Sequence, residues 1–259
     1  MNKILAIAKR EFASYFHSWI GVLTGVMFLL ISGVFFVVLV LNYVKISMNP
    51  QQFGLSNFSG ISQTQFVFGS FFTNLNVLLL FMVPILTMRS FAEERRQETL
   101  EILFTYPLSD FEIVIGKQLG IIWFFEVLML PLLGYMAVFY WIGGQFDWGP
   151  TLLGFLGFWF LGMAYLAAGV FISTLTKHPV VSALGTFSIL VLFWIFEWVA
   201  GITDGIWGRI FSELSPLDHY KNFSVGILSL QDLVYFLFFF FYFLFLTLRS
   251  IETRHWKTS

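Results

Sequence analysis

The titratable residues of this chain crowd into one place. Residues 90–120, SFAEERRQETLEILFTYPLSDFEIVIGKQLG, carry nine charged side chains between two long apolar runs: Glu93, Glu94, Arg95, Arg96, Glu98, Glu101, Asp110, Glu112 and Lys117. Elsewhere, groups that could do covalent or acid–base chemistry are scattered. Cysteine is absent, which excludes disulfides, thiolate zinc sites and cysteine nucleophiles. His17, His178, His219 and His255 are far apart and show no HxxxH spacing, so no metal centre is expected. Asp110, Asp147, Asp204, Asp218 and Asp232 fall in loops or at the ends of apolar stretches, and no histidine is mid-stretch. An intramembrane hydrolase would need paired aspartates, a serine–histidine pair or a metal cluster inside those stretches. Nor is there a phosphate-binding loop. Around Gly116-Lys117, Phe111 stands where GxxxxGK[ST] needs its first glycine, and Gln118 follows the lysine. These residues predict no catalytic group, no cofactor and no nucleotide site in this chain, which therefore reads as a non-enzyme.

The surroundings of the charged segment explain what it belongs to. The chain is 58% hydrophobic and 11% charged, under half the ~25% charge of soluble domains. A net charge of −1 gives no electrostatic case for nucleic acid. A helix needs ~20 apolar residues to cross a bilayer. Six stretches qualify, at about 19–43, 66–88, 118–142, 151–173, 179–200 and 232–248. Nothing alternates as barrel strands would, so the fold expected is an all-α polytopic membrane protein, one transmembrane domain over 1–259. The first stretch is too long for a signal h-region and reads as a span that stays. Six spans put both termini on one side. Eleven of the fourteen Lys and Arg lie on that side, and Lys45, Arg209 and Lys221 lie on the other. Termini and charged segment are therefore expected in the cytoplasm, with 201–231 as the largest outer loop.

Residues 2–17 form an amphipathic helix ahead of the first span. Ile4, Leu5, Ala8, Phe12, Tyr15 and Phe16 share one face at about 100° per residue. Such a helix lies in the headgroup plane, as an anchor or as a lever on the first span. The pattern from Phe91 to Thr105 predicts a second amphipathic helix, with Leu100, Leu103 and Phe104 on one side and an acidic ridge of Glu94, Glu98 and Glu101 on the other. Pro107 stops it, and Ser109 or Asp110 caps a restart with Glu112 in the first turn. Two carboxylates sit inside spans. Glu197 lies near an outer end between Trp194 and Trp198, and Glu126 lies about two turns into the third span. A charge at helix centre costs ~2.5–3.5 kcal/mol, so Glu126 needs a partner, a proton or a water-lined path. Pro84 and Pro131 would bend spans two and three. Span four is rich in glycine and alanine, which suits close packing or a sliding face.

FAEERRQETLEILFTYPLSDFEIVIGK resembles the loop between spans two and three of the type-2 ABC export permeases, whose coupling helix sits in a groove of the ATPase subunit. The residues that carry the likeness are Glu93, Glu94, Arg95, Thr99, Leu100, Glu101, Leu103, Pro107, Ser109, Asp110, Glu112, Gly116 and Lys117. Glu98 departs from the pattern, because many relatives have glycine there, and the departure bears on local backbone geometry. AIAKREFASYF is similar to the family's interfacial helix, GVFISTLTKHPVVSALGTF to its turn between spans four and five, and LSPLDHYKNFSVGILSLQDLVYF to its last outer loop, which folds back partly into the outer leaflet. The likeness covers nearly the whole chain and looks closest to the permeases associated with gliding motility.

The resemblance implies a permease subunit in the inner membrane, paired with a second permease of the same or a related chain. An accessory subunit is compatible with it. It also implies an ABC ATPase at the cytoplasmic face that carries the ATP and Mg. ATPase contact is then expected at the 89–117 coupling segment through Glu94, Glu98, Leu100, Glu101, Leu103, Phe104 and Pro107, with Glu126 as the candidate pathway residue. Two rivals remain: an ion-coupled carrier, which would want several buried charges in two matching halves, and a non-transporting membrane subunit that recruits an ATPase.

Overall fold

The computed structural model describes residues 3–48, 64–99, 108–144 and 147–258, with side chains described to Thr253. Among them there is no strand, and six helices are long and apolar enough to cross a membrane. Helix α1 is Lys3–His17, α2 Trp19–Met48, α3 Ser70–Thr87, α4 Ala92–Arg96 and α5 Asp110–Trp141. Then follow α6 Trp148–Leu175, α7 Pro179–Ile202, α8 Ile206–Leu214, α9 Pro216–Val225 and α10 Leu230–Thr258. A π-helical turn at Gln65–Gly69 leads into α3. Several helices outrun the apolar stretches that announce them. The helix of the third candidate span starts at Asp110, behind the expected Ser109 cap, and runs unbroken into the apolar stretch.

Helices α3 and α6 form the interior, and α2 and α7 are mostly exposed. Phe68, Phe71, Phe72, Phe125 and Phe158 are fully buried between them. The glycines of α6 are receptors for bulky neighbours. Gly157 takes the Phe223 ring, Gly162 the Phe125 ring and Gly169 the Thr87 side chain, each too close for a Cβ. These neighbours come from three different helices of the same chain. Of the two readings of this small-residue span, packing within the chain is the one realised here.

Residues 201–231 fold back on the bundle. Helix α8 runs antiparallel to α7, with Gly208 against the Thr203 carbonyl and Phe211 against Phe196 at 5.5 Å between ring centroids. Helix α9 then returns, with Phe223 beside Phe236 at 6.0 Å and Gly226, at φ 89°, against Pro150. The α8–α9 turn is therefore the innermost point of a helical hairpin. His219 holds that turn: its Nδ1 lies 2.6 Å from Asp232 and its Nε2 3.2 Å from the Glu213 carbonyl.

Candidate functional site

The base of the charged segment is a junction of helices, and glycines set its geometry. Gly116 and Gly120 lie one turn apart on α5, where α1 crosses. A Cβ on Gly116 would stand 2.7 Å from Ile7 Cβ, and one on Gly120 would stand 2.8 Å from the Ala8 carbonyl oxygen. The pair lets α1 lie backbone-to-backbone on α5. Ser109 caps α5: its Oγ accepts from Glu112 N–H at 3.2 Å, and Glu112 Oε2 accepts from Ser109 N–H at 2.9 Å. This reciprocal capping box fixes where the helix starts.

Between these helices lies a buried lysine. Lys117 is 0% exposed. Its Nζ donates to Glu11 Oε2 at 3.2 Å and to the Ser90 carbonyl at 2.7 Å, and forms an ion pair with Glu94 Oε1 at 2.8 Å. Three oxygens, one from α1 and two from the charged segment, surround the ammonium. The Phe91 ring covers the site, 5.2 Å from Nζ. One side chain thus joins α5 to α1 through Glu11 and to the charged segment through Ser90 and Glu94. Glu94 Oε1 also accepts from Arg10 at 2.9 Å, a second link to α1. Arg89 binds Glu93 and the Ser18 hydroxyl, which sits at the α1–α2 corner. Arg95 donates to the Thr174 carbonyl, in the last turn of α6 where carbonyls lack helical partners. The first turns of the segment therefore grip α1, the start of α2, α5 and the end of α6. Burial pushes the Glu11 carboxyl above its ordinary range, against the pull of Lys117.

The residues singled out from sequence meet different fates. Glu94 turns inward to the lysine, not outward along a ridge. The helix expected from Phe91 to Thr105 does not run unbroken: α4 ends at Arg96, and Glu98 follows in the left-handed region at φ 58°. That conformation suits glycine, and it is the position where Glu98 departs from the family pattern. Leu100, Glu101, Leu103, Phe104 and Pro107 lie outside the described residues. Glu126 is exposed on α5, nine residues beyond Lys117, and has no part in the junction. Glu197 accepts from Lys221 of α9 at 3.0 Å, and Lys221 also binds Asp218 at 2.7 Å. Burial works to lower the Lys221 pKa, but those two carboxylates outweigh it and hold the ammonium above its ordinary value.

Sequence reasoning missed Glu11 and Ser90 as parts of the junction. A signal for Glu11 existed. At 100° per residue it falls between Ile7 and Ile4, an acid flanked by apolar positions on α1. For Ser90 there was none, because its backbone carbonyl makes the contact.

Six candidate spans and an amphipathic helix, with no strand among the described residues, define a multi-pass membrane protein. The family described as ABC-2 family transporter protein matches residues 5–251, and the chain belongs to that family. No curated protein matches it. Membership makes the chain the permease side of an ABC transporter and implies an ABC ATPase as its partner.

Proposed function

We propose that the chain is the membrane subunit of an ATP-driven exporter in the inner membrane, with both termini and the 89–117 segment in the cytoplasm. Two permease chains form the pathway. A separate ATPase binds ATP and Mg and docks on the coupling segment through Glu98, Leu100, Glu101, Leu103, Phe104 and Pro107. Glu94 transmits the motion inward. The 201–231 hairpin dips into the outer leaflet, and Glu126 faces the pathway. The gliding-motility type is the closest in look among the family's branches.

The observation that carries this reading is the Lys117 junction. A solvated loop has no use for a buried ammonium held by two carboxylates and a backbone carbonyl. A segment that must pass force to two helices does, because charge-assisted bonds in low dielectric make a stiff joint. When the ATPases close, the segment moves, and α1 and α5 move with it.

Copurification is the test. An ABC ATPase should travel with the wild-type chain, and Glu101→Lys or Leu103→Asp should release it while the permease still elutes as a folded species. Retention of the ATPase by both variants would refute the docking assignment.

A further inference from the structure

The end of the molecule away from the charged segment holds an open cleft, a cavity of about 890 Å³ that coupling does not use. It lies between the end of α7 and the α8–α9 hairpin, and Thr203, Asp204, Arg209, Ser212, Glu213 and Lys221 are among its lining residues. Several of these charges are engaged. Lys221 binds Glu197 and Asp218, and both Glu213 oxygens accept from Gln231, at 3.1 and 3.0 Å. Two are not. Among the described residues no side-chain hydrogen bond or ion pair engages Arg209 or Asp204. A free guanidinium and a free carboxylate thus line the same space.

Helix α8 has three sides at 100° per residue. Gly208 and Phe211 pack on α7. Arg209, Ser212 and Glu213 line the cavity. Ile206, Trp207, Ile210 and Leu214 form an exposed apolar side, which Trp198 and Ile202 of α7 extend. The apolar side meets the cavity side along the edge between Ile206 and Glu213, and Ile206 itself lines the cavity. An open polar cleft carrying both signs of charge, beside an apolar track with tryptophans of the kind that sit at membrane interfaces, fits an amphiphile with a zwitterionic head. A guanidinium is the matching donor for phosphate. The carboxylate matches an ammonium that can donate hydrogen bonds. Quaternary ammonium groups are recognised by aromatic cages, and no aromatic ring lines this cavity among the described residues.

We propose that this cavity binds the head group of a phospholipid bearing a primary amine, with phosphate on Arg209, ammonium on Asp204 and acyl chains along the exposed side of α8. That the lipid is cargo on the way out rests on the permease reading; the binding itself does not, since it needs neither ATP nor an ATPase.

Native mass spectrometry of the full chain, titrated separately with phosphatidylethanolamine, phosphatidylglycerol and phosphatidylcholine of matched chains, tests it. Wild type should bind phosphatidylethanolamine tightest. Arg209→Ala should weaken phosphatidylethanolamine and phosphatidylglycerol by about tenfold or more, the effect of losing one charge-assisted bond, and Arg209→Lys should recover part of it. Asp204→Asn should abolish the preference for phosphatidylethanolamine over phosphatidylglycerol while leaving phosphatidylglycerol unchanged. Both side chains are exposed and unengaged, so the variants should fold. Equal affinity for the choline and ethanolamine lipids in wild type, or unchanged affinities in Arg209→Ala, would overturn the proposal. Lipid binding without a copurifying ATPase would refute the export scheme alone.

Discussion

Lys117 shows how a single residue can be visible in a sequence without its role being legible. Its place after Gly116, at the foot of a charged segment, marks it as part of a motif. Its partners come from 106 and 23 residues upstream, Glu11 and Glu94, and no spacing rule predicts such a meeting. Replacement by methionine keeps the volume and strands the Glu11 carboxylate in a buried site. Breaking a buried pair this way costs about 3–5 kcal/mol, so Lys117→Met should lower the thermal inactivation midpoint markedly. Lys117→Met with Glu11→Gln should recover part of the loss, and a double-mutant cycle on the purified chain measures the coupling. Glu98 makes the opposite case. Its departure from glycine was legible and bore on backbone geometry, and its φ of 58° shows how. A non-glycine residue in the left-handed region costs roughly 1–2 kcal/mol. Glu98→Gly should therefore stabilise the segment by about 1 kcal/mol, seen as slower hydrogen exchange at Arg95 to Thr99. Unchanged exchange would mean that neighbouring contacts already offset the strain.

At the scale of elements, the spans were legible because length and apolarity alone specify them in lipid. The Ser109 cap was legible as well, from the serine and the glutamate three residues on, but not the depth at which the capped helix enters the apolar layer, because it continues without a change of pattern. Helix α1 was legible as amphipathic, but its apolar face proved to be two faces. Ile7, Ala8, Glu11 and Tyr15 are buried, and Leu5 and Phe16 are exposed. Hydrophobic periodicity cannot separate a side chain packed on protein from one facing lipid, because both environments select apolar groups. The Gly116 and Gly120 pair decides which part of α1 docks. Gly120→Leu should push α1 off α5, because its side chain would need the space of the Glu11 stem and the Ala8 carbonyl. Lys117 would then lose Glu11 while keeping Glu94. Spin labels at Ala6 and Phe111 should report a longer and broader distance distribution than in the parent, and Gly120→Ala should fall between the two. Superimposable distributions for Gly120→Leu would mean that α1 is held by its polar links and not by backbone proximity.

At the scale of the whole molecule, the question is what covers Glu126. Exposed apolar surface on α2 and α7 does not answer it, since lipid tails and a partner helix are equally apolar. A carboxylate discriminates. Glu126 lies 15 residues before Trp141, the last residue of α5, so with that tryptophan at the outer interface it is about 22 Å down the helix. That depth is inside a ~30 Å hydrocarbon core, on a side where Leu130, Leu133 and Trp141 are also exposed. Leaving an ionised carboxylate in lipid there costs ~2.5–3.5 kcal/mol, so that side of α5 should meet either a second permease chain or water in the pathway. The absence of cysteine makes the choice measurable, because one introduced thiol labels one place. Leu130→Cys next to Glu126 should form a disulfide between two copies, or react with a membrane-impermeant maleimide in a way that depends on ATP and the partner ATPase. Val22→Cys, on the exposed side of α2, is the comparison site and should do neither if it faces lipid. Should Leu130→Cys prove as inert as Val22→Cys, Glu126 would face hydrocarbon and the pathway would have to run elsewhere.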